Sequence, residues 1–265
     1  MPAWLLAYTM LHGSQSFQRI SMELALEQVV DGFVRGWVYS RALATTQLKC
    51  LGQHYHVSFG AVINGRSDEF LIFDQGQPAN VADFGRTISQ QYPQLAHWLT
   101  IFSQTPSDYA SVLAPLGYQP LYRETLMSCG LSDVRFEPQS NVQRLSATTI
   151  LPNNAEFAKQ PFALERIDDA QLGQYLIDIE GQLAAVARLV SWPEGIALVD
   201  SVVTAPSFRR RGLARQLMQQ LLNDAVAKNC QHSVLVASAL GAPLYRQLGY
   251  RDRAEVLIFR REQTS

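Results

Sequence analysis

The stretch Val202-Val203-Thr204-Ala205-Pro206-Ser207-Phe208-Arg209-Arg210-Arg211-Gly212-Leu213-Ala214 sets three arginines and a glycine between two apolar segments. Upstream, Ile196 to Thr204 is an apolar run broken only by Asp200 and Ser201, the pattern of a buried strand. Downstream, Leu213, Leu217, Leu221 and Ala225 recur at fours beside Ala214, Met218, Leu222 and Val226, the stripe of an amphipathic helix. A turn that opens a helix presents amides without intrahelical acceptors, at the positive end of the helix dipole. Gly212 lets a bulky anion reach that backbone, and Arg209, Arg210 and Arg211 add charge. The chemistry is phosphate binding. A solvated basic turn is the competing reading. A nucleic-acid surface fits poorly, because the net charge is −1 and no wider basic stripe accompanies the arginines.

His54 and His56, two apart on one face of a strand, could begin a metal site, but no third ligand lies nearby in sequence, so ordinary imidazoles and no metal are expected. His12, His97 and His232 show no partner pattern. Cys50, Cys129 and Cys230 are odd in number and far apart, which predicts packed free thiols in a reducing compartment.

Arg209-x-x-Gly212-x-Ala214, entered from a strand ending Val-x-Thr-x-Pro, resembles the acyl-CoA pyrophosphate loop of the GNAT N-acetyltransferase superfamily. A second match follows in Val234 to Tyr250, which resembles the GNAT strand and helix that splay from the preceding strand to admit the pantetheine arm. Many relatives place an Asn seven residues before the tyrosine of that helix; here Ser238 holds the position, with shorter reach.

The resemblance implies transfer of an acyl group from acetyl-CoA, or another acyl-CoA, to an amine, with no metal. Backbone groups of Val202, Val203 and Thr204 would pair with the pantetheine, Ser238 would bond it, and the amides from Arg210 through Gly212 and Leu213 to Ala214 would hold the pyrophosphate. Tyr245 is the candidate acid for the departing thiolate, or else packs on the pantetheine. An alkylammonium must lose about 3.4 units of proton affinity at pH 7, roughly 4–5 kcal/mol, which rewards a base. Asp200 is the first candidate, with Glu194 and Glu180 behind it; a structural acid at Asp200 is the alternative, and an aromatic amine would need no base. The expected activity is N-acyl transfer to the primary amine of a small or amino-acid-like acceptor. A non-catalytic CoA-binding sensor and a protein N-acetyltransferase are the alternatives, because fold resemblance does not transmit substrate choice.

The elements that must position these residues span 265 residues, 47% hydrophobic and 17% charged, ample for a core. Ala3 to Leu11 reads as a first strand rather than a signal peptide, and no run is long enough to span a membrane, so a cytoplasmic protein is expected. Helices are predicted over Ser21 to Phe33 with Ser21 as N-cap, over Asp83 to Tyr92, and briefly over Ile167 to Leu172. Strands are predicted at Tyr55 to Ile63, Glu69 to Phe73, His97 to Ser103, Arg123 to Leu131, Val142 to Leu151, Tyr175 to Ile179, Leu183 to Val190 and Ile196 to Thr204, with Trp37 to Tyr39 a short apolar piece. Asn64-Gly65 signals a hairpin.

Leu116-Gly117-Tyr118 and Leu248-Gly249-Tyr250 each precede a terminal strand, about half a chain apart, and those strands carry Glu124 and Glu255. With the polar break between Leu131 and Asn141, the expectation is an α+β fold of two tandem GNAT-like copies, each a mixed, mostly antiparallel twisted sheet flanked by helices. They divide into a degenerate copy at 1–138 and an acyl-CoA-binding copy at 139–265. In the first copy Ala82-Asp83-Phe84-Gly85-Arg86-Thr87 is the best phosphate-turn candidate, spoiled by Asp83. No nucleic acid or membrane partner is expected; oligomeric state is left open.

Overall fold

The computed structural model describes residues 23–105, 107–153, 155–157, 159, 161–192 and 195–261. The strand expected at Ala3 to Leu11 and the N-cap at Ser21 lie outside them. Helix α1 runs Leu26–Arg41, β1 Gln47–Leu51, β2 His54–Ile63, β3 Arg66–Asp74, α2 Pro78–Gln91, β4 His97–Ser103, α3 Tyr109–Leu113 and β5 Gln119–Gly130. Then follow β6 Gln143–Arg144, β7 Leu172–Ile179, β8 Gln182–Val190, β9 Ile196–Thr204, α4 Leu213–Ala227, β10 His232–Ala237, α5 Ala242–Gln247 and β11 Arg251–Arg261. The strands form one sheet in the order β1-β2-β3-β4-β11-β5-β10-β9-β8-β7-β6. Among the described strands only β3–β4 and β9–β10 pair in parallel. The chain is α+β, a large, mostly antiparallel sheet flanked by helices.

Helix α1 absorbs Trp37 to Tyr39, which local apolarity alone reads as a separate piece. Leu26, Val29, Val30, Phe33, Val34, Trp37 and Val38 are all buried at helical spacing, so one stripe runs its full length. Among the described helices it alone lies on one face of the sheet, packed with Leu71, Leu126, Leu198 and Val234. Gly32 and Gly36 permit that approach: an added Cβ would meet the side chain of Ile196 at 2.8 Å or of Leu198 at 2.6 Å. The opposite face carries α4, whose Leu213, Leu217, Leu221 and Ala225 pack with Ala197 and Val199, and the α2–α3 pair around Leu99, Ile101 and Tyr118.

Asn64 and Gly65 take φ of 51° and 83° between β2 and β3, the left-handed pair that a tight hairpin needs. The strand expected from Val142 to Leu151 shrinks to Gln143–Arg144, and the helix expected at Ile167 to Leu172 is replaced by a 3-10 turn at Leu164–Arg166. In the second case Asp169 accepts hydrogen bonds from the amides of Gln171 and Leu172, an alternative to a helical turn. Cys129 and Cys230 are buried as expected, whereas Cys50, on edge strand β1, is exposed.

The sequence β1-β2-β3-α2-β4-α3-β5 is matched in order by β7-β8-β9-α4-β10-α5-β11. The last strands are exchanged: β11 lies between β4 and β5, and β5 between β11 and β10. Glu124 and Val256 face each other across β5 and β11, and they stand as far apart in sequence as Gly117 and Gly249. The segment between β5 and β6 is held along α4, where Asn223 and Gln220 side chains accept from the amides of Phe136 and Gln139, each at 3.1 Å.

Candidate active site

Strand β9 pairs with β10 only through residues 196–198 and 232–234. Beyond Leu198 and Val234 the two diverge, so among the described residues the edge of β9 that carries Val202, Val203 and Thr204 has no strand partner on that side. On its other side, Val203 and Thr204 remain paired with Val186 and Ala185 of β8. Ser201, with φ of 54°, is a bulge: Arg188 faces Asp200 while Val186 already faces Val203. The extra residue turns Asp200 to the α1 face while Val202 packs toward α4.

The chain leaves β9 through a 3-10 turn at Pro206–Phe208 and enters α4 through Arg210 (φ 64°) and Gly212 (φ 79°). The first helical bond runs from the amide of Gln216 to the carbonyl of Gly212 at 3.1 Å. The six preceding amides, Arg210 to Arg215, donate to no acceptor among the described residues. A Cβ on Gly212 would meet nothing within 4 Å, so the concave side of the turn is open. Arg209, Arg210 and Arg211 are exposed; Arg209 donates to the Thr204 carbonyl at 3.3 Å and Arg211 to the Ser207 carbonyl at 3.1 Å. The predicted phosphate cradle is therefore a run of unpaired amides with cationic side chains around it.

Ser238 caps the next turn, where its Oγ accepts from the amide of Gly241 at 3.3 Å and its carbonyl accepts from Gly241 and Ala242. Its side chain is exposed at the mouth of the splay. Tyr245 is buried on α5 against Tyr250, and its hydroxyl has no hydrogen-bond partner among the described residues. Burial, with help from the charge of Asp200, pushes its phenol up to about 12, so it is held protonated.

Asp200 sits in a different setting from a free base. Arg41 grips its carboxylate with both guanidinium nitrogens, at 2.7 and 3.0 Å, and Ser40 donates at 2.7 Å. Burial alone would raise the carboxyl, but the charge and hydrogen bonds of Arg41, the Ser40 hydroxyl and the charge of Arg188 hold it below the ordinary range. Of the other acids considered, Glu194 lies outside the described residues, and Glu180 is exposed at φ 54° in the β7–β8 turn.

A cavity of about 920 Å³ abuts the splay on the α1 face. Asp200 of β9 and Val236 of β10 line its inner end; Trp37, Trp98, Tyr122 and Glu124 come from the first half of the chain. Glu124 and Arg41 were not singled out as site residues in the sequence. Nothing local marks either one: Glu124 stands between Arg123 and Thr125 in a mixed strand, and Arg41 reaches Asp200 from 159 residues away.

The first half holds a counterpart of the cradle, at a different place from the one expected. Ala82 to Thr87 lies inside α2, and Gly85 packs against Tyr118. The strand-to-helix turn is Asp74-Gln75-Gly76-Gln77-Pro78, signalled by Gly before and Pro at the start of α2. There the Asp74 carboxylate accepts from the amides of Gly76 at 3.0 Å and Gln77 at 2.8 Å, and from the Tyr109 hydroxyl at 2.5 Å. A built-in anion fills the position.

Among the described residues no group of His, Cys, Asp and Glu could hold a metal ion, and no helix is long and apolar enough to cross a membrane. His56 pairs with Asp68 at 2.7 Å and stacks on Phe70, while His54 packs on Phe84, so the two imidazoles serve the first half's interior. His97, for which no partner was evident, is fully buried between the Leu95 carbonyl and the Tyr118 hydroxyl, both at 2.8 Å.

Splayed parallel strands, an amide cradle at a helix start and a cavity beside the splay thus lie together at one site. Residues 142–250 match the model of the Acetyltransferase (GNAT) family. A curated relative, UPF0039 protein C11D3.02c of Schizosaccharomyces pombe, is 28% identical over 123 residues, 44% of this chain and 82% of its own. Across the whole chain the fold is similar to that of a GCN5-related N-acetyltransferase from Kribbella flavida, with TM-score 0.61 and 17% identity, covering 92% of this chain and 98% of that one. It is also similar to a GCN5-related N-acetyltransferase from Sphaerobacter thermophilus, with TM-score 0.52 and 15% identity over 80% and 78%.

Proposed function

We propose that the protein transfers an acetyl group from acetyl-CoA to the primary amine of a small or amino-acid-like acceptor. The run of six unpaired amides from Arg210 to Arg215, at the open end of the β9–β10 splay, carries this reading. Those amides and the three arginines would take the pyrophosphate, and the free edge of β9 at Val202 to Thr204 would pair with the pantetheine. That edge would leave an amide to polarise the thioester carbonyl. Ser238 would bond the arm at the mouth, and Tyr245 would protonate the departing sulfur. Asp200, already neutralised by Arg41, would orient the site more than it would take a proton. The cavity on the α1 face favours a small acceptor: aromatic side chains line it together with charged ones, and its volume is of the size that holds small ligands.

The matched element order and the exchanged last strands support two copies, 1–138 and 139–265, of which the first has exchanged cofactor binding for its own Asp74 carboxylate. Calorimetry with CoA and with acetyl-CoA tests the reading, and binding of neither would end it. Free-thiol release over a panel of amines, lysine peptides included, then separates an enzyme from a CoA sensor and a small-molecule acceptor from a protein one.

A further inference from the structure

The cavity next to the splay contains three carboxylates that differ in one respect. Asp200 is held by Arg41 and Ser40. Glu69 is held by Arg66 at 2.6 Å and by the Thr100 hydroxyl at 2.5 Å. Glu124 makes no hydrogen bond or ion pair among the described residues, though it is half-buried and lines the same cavity. It stands on β5, one residue past the Thr125–Ala237 pair with β10, and so lies beyond Val234, where β10 has already parted from β9. Across the sheet on its other side it faces Val256 of β11, which brings no charge.

Resting on the acyl-transfer reading, we propose that Glu124, supplied by the first half through the exchanged strand β5, is the catalytic base and binds the ammonium of a primary alkylamine whose apolar body lies against Trp37 and Trp98. The carboxylate accepts one proton from the ammonium. The neutral nitrogen then forms the N–C bond to the thioester carbon as the C–S bond breaks. The nitrogen's second proton and the thiolate's need for one balance through Tyr245, and the proton on Glu124 leaves to solvent. Two groups of one charge sign or the other bear on Glu124: Arg41 from α1 and Asp200 from β9. Burial, with Asp200 adding and Arg41 opposing, raises its carboxyl above the ordinary range, whereas Asp200 is held below it. Two acids in one cavity with affinities pushed apart divide the labour: the higher one exchanges protons, the lower one stays an anion.

The test uses the full chain with acetyl-CoA and two probes of similar shape, 2-phenylethylamine and 4-ethylaniline. The first is an alkylammonium at pH 7; the second is already neutral there. E124Q is expected to slow thiol release from the alkylamine about 100-fold at pH 7, with the rate recovering about tenfold per pH unit toward pH 9, and to change the arylamine rate less than about fivefold. Calorimetry of 2-phenylethylammonium should show binding to the wild type and its loss in E124Q, with acetyl-CoA affinity unchanged. Equal losses with both amines, or a pH-independent loss, would overturn the assignment in favour of a packing role. So would wild-type protein that binds acetyl-CoA but neither binds nor acetylates the alkylamine. Failure to bind acetyl-CoA at all would instead remove the acyl-transfer reading itself.

Discussion

Arg41, the last residue of α1, and Asp200, on the bulged stretch of β9, form a bidentate ion pair at 2.7 and 3.0 Å that ties the two halves of the chain together beside the splay. Arg41 also lies 4.8 Å over the Trp37 ring, so its guanidinium is held on two sides. Asp200→Asn is expected to cost about 1–3 kcal/mol of stability, because it leaves a mostly covered guanidinium without its anion. The folded Asp200 carboxyl sits below its unfolded value of about 3.9. Its contribution is therefore complete above that value and is lost as pH falls through the lower folded one. Urea unfolding of wild type and variant should differ at pH 7 and converge in strong acid; a gap that persists there would refute the linkage.

Gly212 and Tyr245 should separate binding from turnover. Gly212 has φ of 79°, where any side chain is strained, and it opens the amide cradle. Gly212→Glu adds a negative charge against the pyrophosphate and should weaken acetyl-CoA binding by about 100-fold or more. Tyr245→Phe should leave that affinity within about threefold and lower kcat by roughly 100-fold. The opposite pattern, measured by calorimetry and steady-state kinetics, would exchange the two roles.

Because Asp74 occupies the amides of Gly76 and Gln77, one acetyl-CoA per chain is the expected calorimetric stoichiometry. A value near two would show that the first half still binds the cofactor. Asp74→Ala should destabilise the fold by about 1–3 kcal/mol, since the amides of Gly76 and Gln77 lose their acceptor and the buried Tyr109 hydroxyl keeps only the Ser103 Oγ.

His97 gives an acid-sensitive fold. Burial pulls its imidazole down to about 4, from an ordinary 6.5, while its bond to the Leu95 carbonyl opposes that only in part. The unfolded chain binds the proton first, so stability is complete above about pH 6.5 and is lost as pH falls toward the folded value. The loss attributable to this group is about 3 kcal/mol across that window. Unfolding measured from pH 7 to pH 4 should show the slope, and His97→Gln should flatten it while lowering stability at neutral pH. An unchanged slope in the variant would assign the acid sensitivity elsewhere.

What could be read from order in the chain was what depends on near neighbours. Strands β4 and β9 were bounded correctly by runs of apolar residues, and the Asn64-Gly65 turn by its dipeptide. Helix α4 followed from its apolar repeat, and the cradle from a glycine and three arginines placed between strand and helix. The errors came where a local pattern had two solutions. Trp37 to Tyr39 fits a strand or the end of a helix, and only packing on Leu198 and Phe59 decides. Asp83 near Gly85 imitates a phosphate turn, yet a helical stripe through Val81 and Ile88 buries that glycine.

The sequence by itself determined the strand–turn–helix that presents free amides around Arg210 to Ala214, because a helix start leaves its first amides unpaired whatever surrounds them. Only the tertiary structure decided that Asp200 is neutralised by Arg41 while Glu124 stands unpaired beside it. That outcome depends on β5 and β11 crossing between the halves, a long-range pairing that no short run of residues encodes.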